Sequence, residues 1–65
     1  MKLTVNGEER ETDTTTVLAF LNSLEIHPRT VVVEFNLEIL PRNMYGEQEL
    51  RDGDQLEIVQ MMAGG

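Results

Sequence analysis

The sequence predicts a two-layer α+β domain: one mixed sheet of four to five strands with one main helix packed on one face. Three observations lead there. Stretches with strand character and one stretch with helical spacing alternate in the order strand, strand, helix, strand, short strand, strand. A single amphipathic helix cannot bury its apolar stripe alone, so it must lie across a sheet. That helix links the opening hairpin to the later strands. At least one strand pair is therefore parallel, with a right-handed crossover.

The elements follow in order. Lys2-Leu3-Thr4-Val5 alternates polar and apolar, as a half-buried strand does. Asn6-Gly7 is a strong hairpin signal, because a type I′ turn needs φ > 0 at both central residues. Glu8 to Thr12 returns as a polar, exposed edge strand, whose charges discourage edge-to-edge aggregation. Asp13-Thr14-Thr15-Thr16 offers a run of helix N-cap residues. A helix over Thr16 to Leu24 places Val17, Leu18, Leu21 and Leu24 on one face, and Phe20 widens the stripe. His27-Pro28 closes that region, since the residue before proline is pushed out of the α conformation.

Thr30 to Phe35 carries the strongest strand signal. Val31, Val33 and Phe35 are assigned to the helix side, and Val32 and Glu34 to the other. Asn36-Leu37-Glu38 reads as a turn and Ile39-Leu40 as a short strand stopped by Pro41. Arg42 to Leu50 is irregular, with one helical turn around Asn43 to Tyr45 that Gly46 breaks. Asp52-Gly53-Asp54 is a turn, and Gln55 to Val59 the last strand, with Leu56 and Ile58 facing the core. Residues 1–60 are expected to form the domain and residues 61–65 a flexible C-terminal tail ending in Gly-Gly.

Composition narrows the function classes. A chain of 65 residues is one small domain and buries only about 60% of its unfolded surface. The absence of Cys excludes disulfides, thiolate metal sites and a cysteine nucleophile, and fits a reducing, cytoplasmic setting. No apolar run approaches the roughly 18 residues of a membrane span, and no secretory leader is visible at the start. A net charge of −7 would repel phosphate backbones, which argues against nucleic-acid partners. The same charge speeds encounter with a basic partner, or simply confers solubility.

Intrinsic catalysis has little support. His27, the one histidine, stands beside a proline in a loop, whereas a general base needs a partner and a pocket. Asp52-Gly53-Asp54 lacks the further acidic ligands of a calcium loop. Gly7, Gly46 and Gly53 are isolated and build no phosphate loop. Met44, Met61 and Met62 are adaptable packing or contact residues rather than metal ligands.

The informative stretch is Met61-Met62-Ala63-Gly64-Gly65. It is uncharged and follows the last strand with no linker between. Fully extended, it reaches roughly 17 Å beyond the body. Two terminal glycines suit entry into a narrow active site; an idle frayed end is the plain alternative. With Leu56 and Ile58 inward, Val59 and Met61 point outward, and Val32 joins them. They form either a partner-docking patch beside the tail or ordinary scattered exposure.

Val5-Asn6-Gly7-Glu8, Thr16-Val17, Val33-Glu34-Phe35-Asn36, Ile39-Leu40-Pro41-Arg42, Asp52-Gly53-Asp54 and the final Ala63-Gly64-Gly65 occur here in one order and spacing. In this the chain resembles, over its whole length, the ThiS family of sulfur-carrier proteins of thiamine biosynthesis. The family often has Asn-Gly where this chain has Asn36-Leu37, and the departure is expected to require a different turn type.

The resemblance implies a β-grasp, ubiquitin-like fold with the first and last strands parallel at the sheet centre. It implies no bound cofactor. A ThiF-like adenylyltransferase would use ATP to adenylate the Gly65 carboxylate, and a persulfide sulfur donor would convert it to a thiocarboxylate. A ThiG-like thiazole synthase would then take the sulfur. Gly64, Ala63, Met62 and Met61 would be recognised as the tail, with docking through Val59 and Val32. Three other readings stay open. They are the small subunit of molybdopterin synthase, whose chains are usually longer, a ubiquitin-like protein modifier, and a non-catalytic interaction domain.

Overall fold

The computed structural model describes residues 1–61. Five strands form one sheet: β1 (Lys2–Val5), β2 (Glu8–Glu11), β3 (Val31–Phe35), β4 (Glu38–Leu40) and β5 (Gln55–Gln60). Their order across the sheet is β2-β1-β5-β3-β4. β5, last in the chain, therefore takes the middle place. It runs parallel to β1 and antiparallel to β3, and the two outer pairs, β1–β2 and β3–β4, are antiparallel hairpins. This is the β-grasp arrangement of a mixed sheet with one helix on it.

The helix α1 (Val17–Ser23) is shorter by one residue at each end than its periodicity suggests. Thr16 is the N-cap, its hydroxyl accepting from Ala19 N–H at 3.1 Å. The other two free amides of the first turn are met by the chain around residues 45–48. Val17 N–H donates to Gln48 C=O at 3.0 Å and Leu18 N–H to Tyr45 C=O at 2.9 Å. A helix start buried without such partners would be costly. At the other end Ile26 N–H bonds to Leu21 C=O and Glu25 N–H to Asn22 C=O. That pair is a Schellman motif, with Glu25 at φ 60° in the left-handed position usually held by glycine.

The core lies between α1 and the sheet. Leu3, Val5, Val31, Val33 and Leu56 come from the sheet, and Val17, Phe20 and Leu21 from the helix. Phe20, placed by spacing at the margin of the apolar face, is only 2% exposed, while Leu18 is half-buried. Phe35 and Ile58 pack against the core from its edge, on the helix side as their alternation implies. Tyr45 and Leu50 complete the core from a segment that sequence pattern leaves irregular. The short 3-10 turn there (Arg42–Met44) begins directly after Pro41. Pairing of Thr16 with Glu49 folds the segment against the start of the helix.

The turns carry the main surprise. Asn6 and Gly7 have φ of 51° and 82°, the type I′ pattern expected of Asn-Gly. Asn36 and Leu37 have φ of 51° and 75° between strands in register at Phe35 and Glu38. The expected change of turn type does not occur. The pair forms a type I′ turn, which needs φ > 0 at both central positions, and Leu37 is driven into a conformation costly for a side chain with a Cβ.

Both Asp52 and Asp54 spend their carboxylates on the protein. Asp52 Oδ1 accepts from Lys2 N–H at 2.7 Å, and Asp54 Oδ2 from Arg51 N–H at 2.8 Å. Asp54 Oδ1 accepts from Asn36 Nδ2 at 3.1 Å. With Gly53 at φ 93°, this turn brings β5 alongside β1. Among the described residues no helix is long and apolar enough to cross a membrane.

Candidate functional site

The candidate site is the end of β5 and what surrounds it. β5 runs one residue further than its sequence pattern suggests, to Gln60. On the β3 side its ladder is continuous, from Phe35↔Leu56 to Val31↔Gln60. One further bond, Met61 N–H to Thr30 C=O at 2.8 Å, ties down Met61 itself. Gln60 Nε2 reaches the same carbonyl at 3.1 Å.

Thr30 is held in turn by a compact loop. It closes a 3-10 turn (Pro28–Thr30), with its amide and hydroxyl both donating to His27 C=O, at 3.0 and 2.8 Å. The Arg42 guanidinium clips the turn from the far side, through Pro28 C=O at 3.3 Å and Arg29 C=O at 3.4 Å. His27, exposed, uses Nδ1 to accept from Arg29 N–H at 3.1 Å. Its visible work is turn capping.

On the other side β1 stops at Val5 and the chain turns away. Asn6 takes over. Its backbone N–H donates to Leu56 C=O at 2.9 Å. Its carboxamide Oδ1 then accepts from Ile58 N–H at 2.7 Å and Nδ2 donates to Ile58 C=O at 3.2 Å. Asn36 makes a related contact at the opposite end of β5: its Oδ1 accepts from Gln55 N–H at 2.8 Å. Sequence reasoning assigned both asparagines only to turns. The residue type at a turn reports tolerance of φ > 0, and nothing local tells which strand the carboxamide will meet.

Of the residues expected to matter, Val32 and Val59 are brought directly opposite each other, on the sheet face away from the helix. Val59 is 52% exposed and Val32 half-buried. Met61, partly exposed, follows two residues after Val59 on the same face. Ile39 of β4, 70% exposed, belongs to that face too, since it pairs with outward-facing Glu34. The sequence analysis had not included it. Glu34 and Glu57 sit directly opposite one another beside the valines. Met62, Ala63, Gly64 and Gly65 lie outside the described residues.

The chemistry available in the body is slight. A groove of about 420 Å³ opens on the helix side, between the β1–β2 hairpin and the end of α1, with Arg10, Leu24, Ile58 and Gln60 among its lining. It offers apolar surface with one basic and one acidic side chain, Arg10 and Glu8. Among the described residues no group of three or more His, Cys, Asp or Glu could hold a metal. What the geometry does provide is a strand, β5, fixed on both flanks as far as Ile58 and on the β3 side as far as Met61.

The ThiS family model matches residues 3–65. The chain belongs to the ThiS family. It is 38% identical to the sulfur carrier protein ThiS of Bacillus subtilis, across 97% of this chain and 98% of that protein. It is 48% identical to a thiazole synthase of Paramagnetospirillum magneticum, across all of this chain but 20% of that protein. The chain thus spans a fifth of the length of that relative. The crystal structure of a thiamine biosynthesis protein (ThiS) from Geobacter metallireducens superposes with a TM-score of 0.84 at 35% identity, covering both chains fully. The ThiS fold assigned from the sequence is the observed one.

Proposed function

We propose that this ThiS-family chain is a sulfur carrier for formation of the thiamine thiazole ring, a protein co-substrate rather than an enzyme. The observation that carries the reading is the family match, which runs through Gly65 on a body built to hold the strand leading there. In this reading Gly65 bears the reacting carboxylate.

A carboxylate is ionised at neutral pH, with a pKa of about 3.5, and is a poor electrophile. A ThiF-like adenylyltransferase would bind the body and bring the tail to ATP. A carboxylate oxygen attacks the α-phosphorus, pyrophosphate leaves, and the acyl-adenylate forms. The terminal sulfur of a persulfide donor attacks the acyl carbon and displaces AMP. That step forms a carbon–sulfur bond and keeps the persulfide's own S–S bond. A thiol then attacks the donor-side sulfur, forms a disulfide with the donor, and releases the C-terminal thiocarboxylate. Gly64 and Gly65 have no side chains to shield that carbon. Having no Cys, the chain supplies no thiol, so the sulfur must come from outside, in a setting such as the reducing cytoplasm.

The loaded tail would pass to a ThiG-like thiazole synthase. Support for that partner comes from the thiazole synthases that contain a segment similar to this whole chain. Docking would use the face bearing Val59, Val32 and Met61, with Met62, Ala63 and Gly64 read by the active site.

Intact-mass spectrometry tests the loading. With ATP, the activating enzyme and a sulfur donor, one oxygen of the protein should be replaced by sulfur. Deletion of Gly65 should abolish the change and leave the circular dichroism spectrum intact. An unchanged mass with an enzyme active on its own carrier would rule the proposal out. Adducts on lysine would indicate a protein modifier instead.

A further inference from the structure

We propose that Asn6 is a positioning residue for the tail: its carboxamide stands in for a peptide group and carries the β1 lane onward to Ile58. The inference rests on the carrier reading above and adds a residue to it.

The argument is one of spacing. β1 pairs with β5 only at Thr4↔Gln55 and Val5↔Leu56. Backbone groups along a strand alternate sides, so those of Leu56, Ile58 and Gln60 point into the β1 lane. Leu56 C=O is met by Asn6 N–H at 2.9 Å. Ile58 would face an empty lane, because the chain turns back at Gly7. The Asn6 side chain fills that place with an acceptor at 2.7 Å and a donor at 3.2 Å, the same pair of functions a peptide unit offers. β5 is thereby gripped on both flanks to within three residues of Met61. Without the carboxamide the last part of β5 would hang from β3 and Thr30 alone. Hinging about that single flank would change the direction in which Met61 leaves the sheet.

Asn6 lies in the left-handed region at φ 51°, which glycine adopts freely. Asn6→Gly thus removes the carboxamide and preserves the turn. Asn36 provides the matched control. It is the first residue of the other hairpin turn, also at φ 51°, and its carboxamide grips β5 at Gln55, the end remote from the tail.

Asn6→Gly should speed amide exchange at Ile58 and lower the backbone order parameters at Gln60 and Met61. The variant loses both hydrogen bonds to Ile58; at about three- to tenfold in opening per bond, the change is about tenfold or more. With the ThiF-like enzyme, KM for the carrier should rise by a similar factor, with kcat unchanged once the enzyme is saturated. Asn36→Gly, compared at equal unfolding midpoint, should leave Gln60, Met61 and KM as in the parent. If both variants raise KM in proportion to lost stability, Asn6 is a structural residue only and the proposal fails. If the parent protein is not adenylated at all, the carrier reading fails separately. The order parameters then decide the positioning claim: no change at Gln60 and Met61 in Asn6→Gly overturns it.

Discussion

At the level of single residues, four non-glycine positions lie in the left-handed region; Asn6 and Asn36 suit it, and Glu25 and Leu37 do not. Leu37 has φ 75° and is 80% exposed, so it receives almost no burial in return for its strain. Glu25 has φ 60° at the C′ position of the helix and is also exposed. A left-handed conformation costs an ordinary residue roughly 1–2 kcal/mol. Glycine relieves that but loosens the unfolded chain, at about 0.4–1 kcal/mol. Leu37→Gly and Glu25→Gly are each expected to stabilise the fold by up to about 1 kcal/mol, a rise of roughly 4–8 °C in melting temperature. Thermal unfolding followed by circular dichroism checks both, and a fall in either would mean the side chain makes a contact outweighing its strain. These positions also mark where the sequence stops being legible. Asn6-Gly7 announces its turn because both residues suit φ > 0. Asn36-Leu37 does not, since only the register of two strands forces leucine into that state.

Between elements, the decisive relation is the pairing of β3 with β5, whose residues are some twenty-five apart along the chain. Alternation within each strand suffices to put Val32 and Val59 on the outward face. That they stand directly opposite is a matter of register, which only the assembled sheet fixes. The same register puts Glu34 against Glu57, and like charges directly across a sheet are destabilising. On the docking face proposed above, this pair would be the negative counterpart of a basic partner. Glu57→Lys should therefore raise stability by about 0.2–1 kcal/mol and weaken association with the activating enzyme. Urea denaturation should show a higher midpoint at unchanged slope, and calorimetric titration a weaker Kd. A variant that is both more stable and equally tight would remove Glu57 from the interface. Tyr45 and Leu50 show the reverse limit: they enter the core from a segment with no period, held by bonds to the start of α1. Nothing local announces them.

For the molecule as a whole, the fold places β5 in the middle of the sheet and ties its end, through Met61, to Thr30. Element order alone made the layers legible, and a central last strand followed from family resemblance. The hydrogen bonds through Asn6 and Thr30 that hold its end were legible from neither. Around this framework the acids are spread rather than clustered, yet they sum to a net charge of −7. Such a field either steers the domain to a basic surface or only keeps it soluble, and ionic strength separates the two. Exposed charges are screened beyond about 10 Å at 0.1 M salt and about 3 Å at 1 M. Steered association slows steeply as salt is added, whereas dissociation, governed by close contacts, changes little. Stopped-flow measurement of binding to the ThiF-like enzyme should thus show an association rate at least about tenfold lower at 1 M than at 0.05 M salt, with a nearly constant dissociation rate. An association rate indifferent to salt would assign the acidic surface to solubility alone, and recognition would then rest on the Val32–Val59 face and the tail.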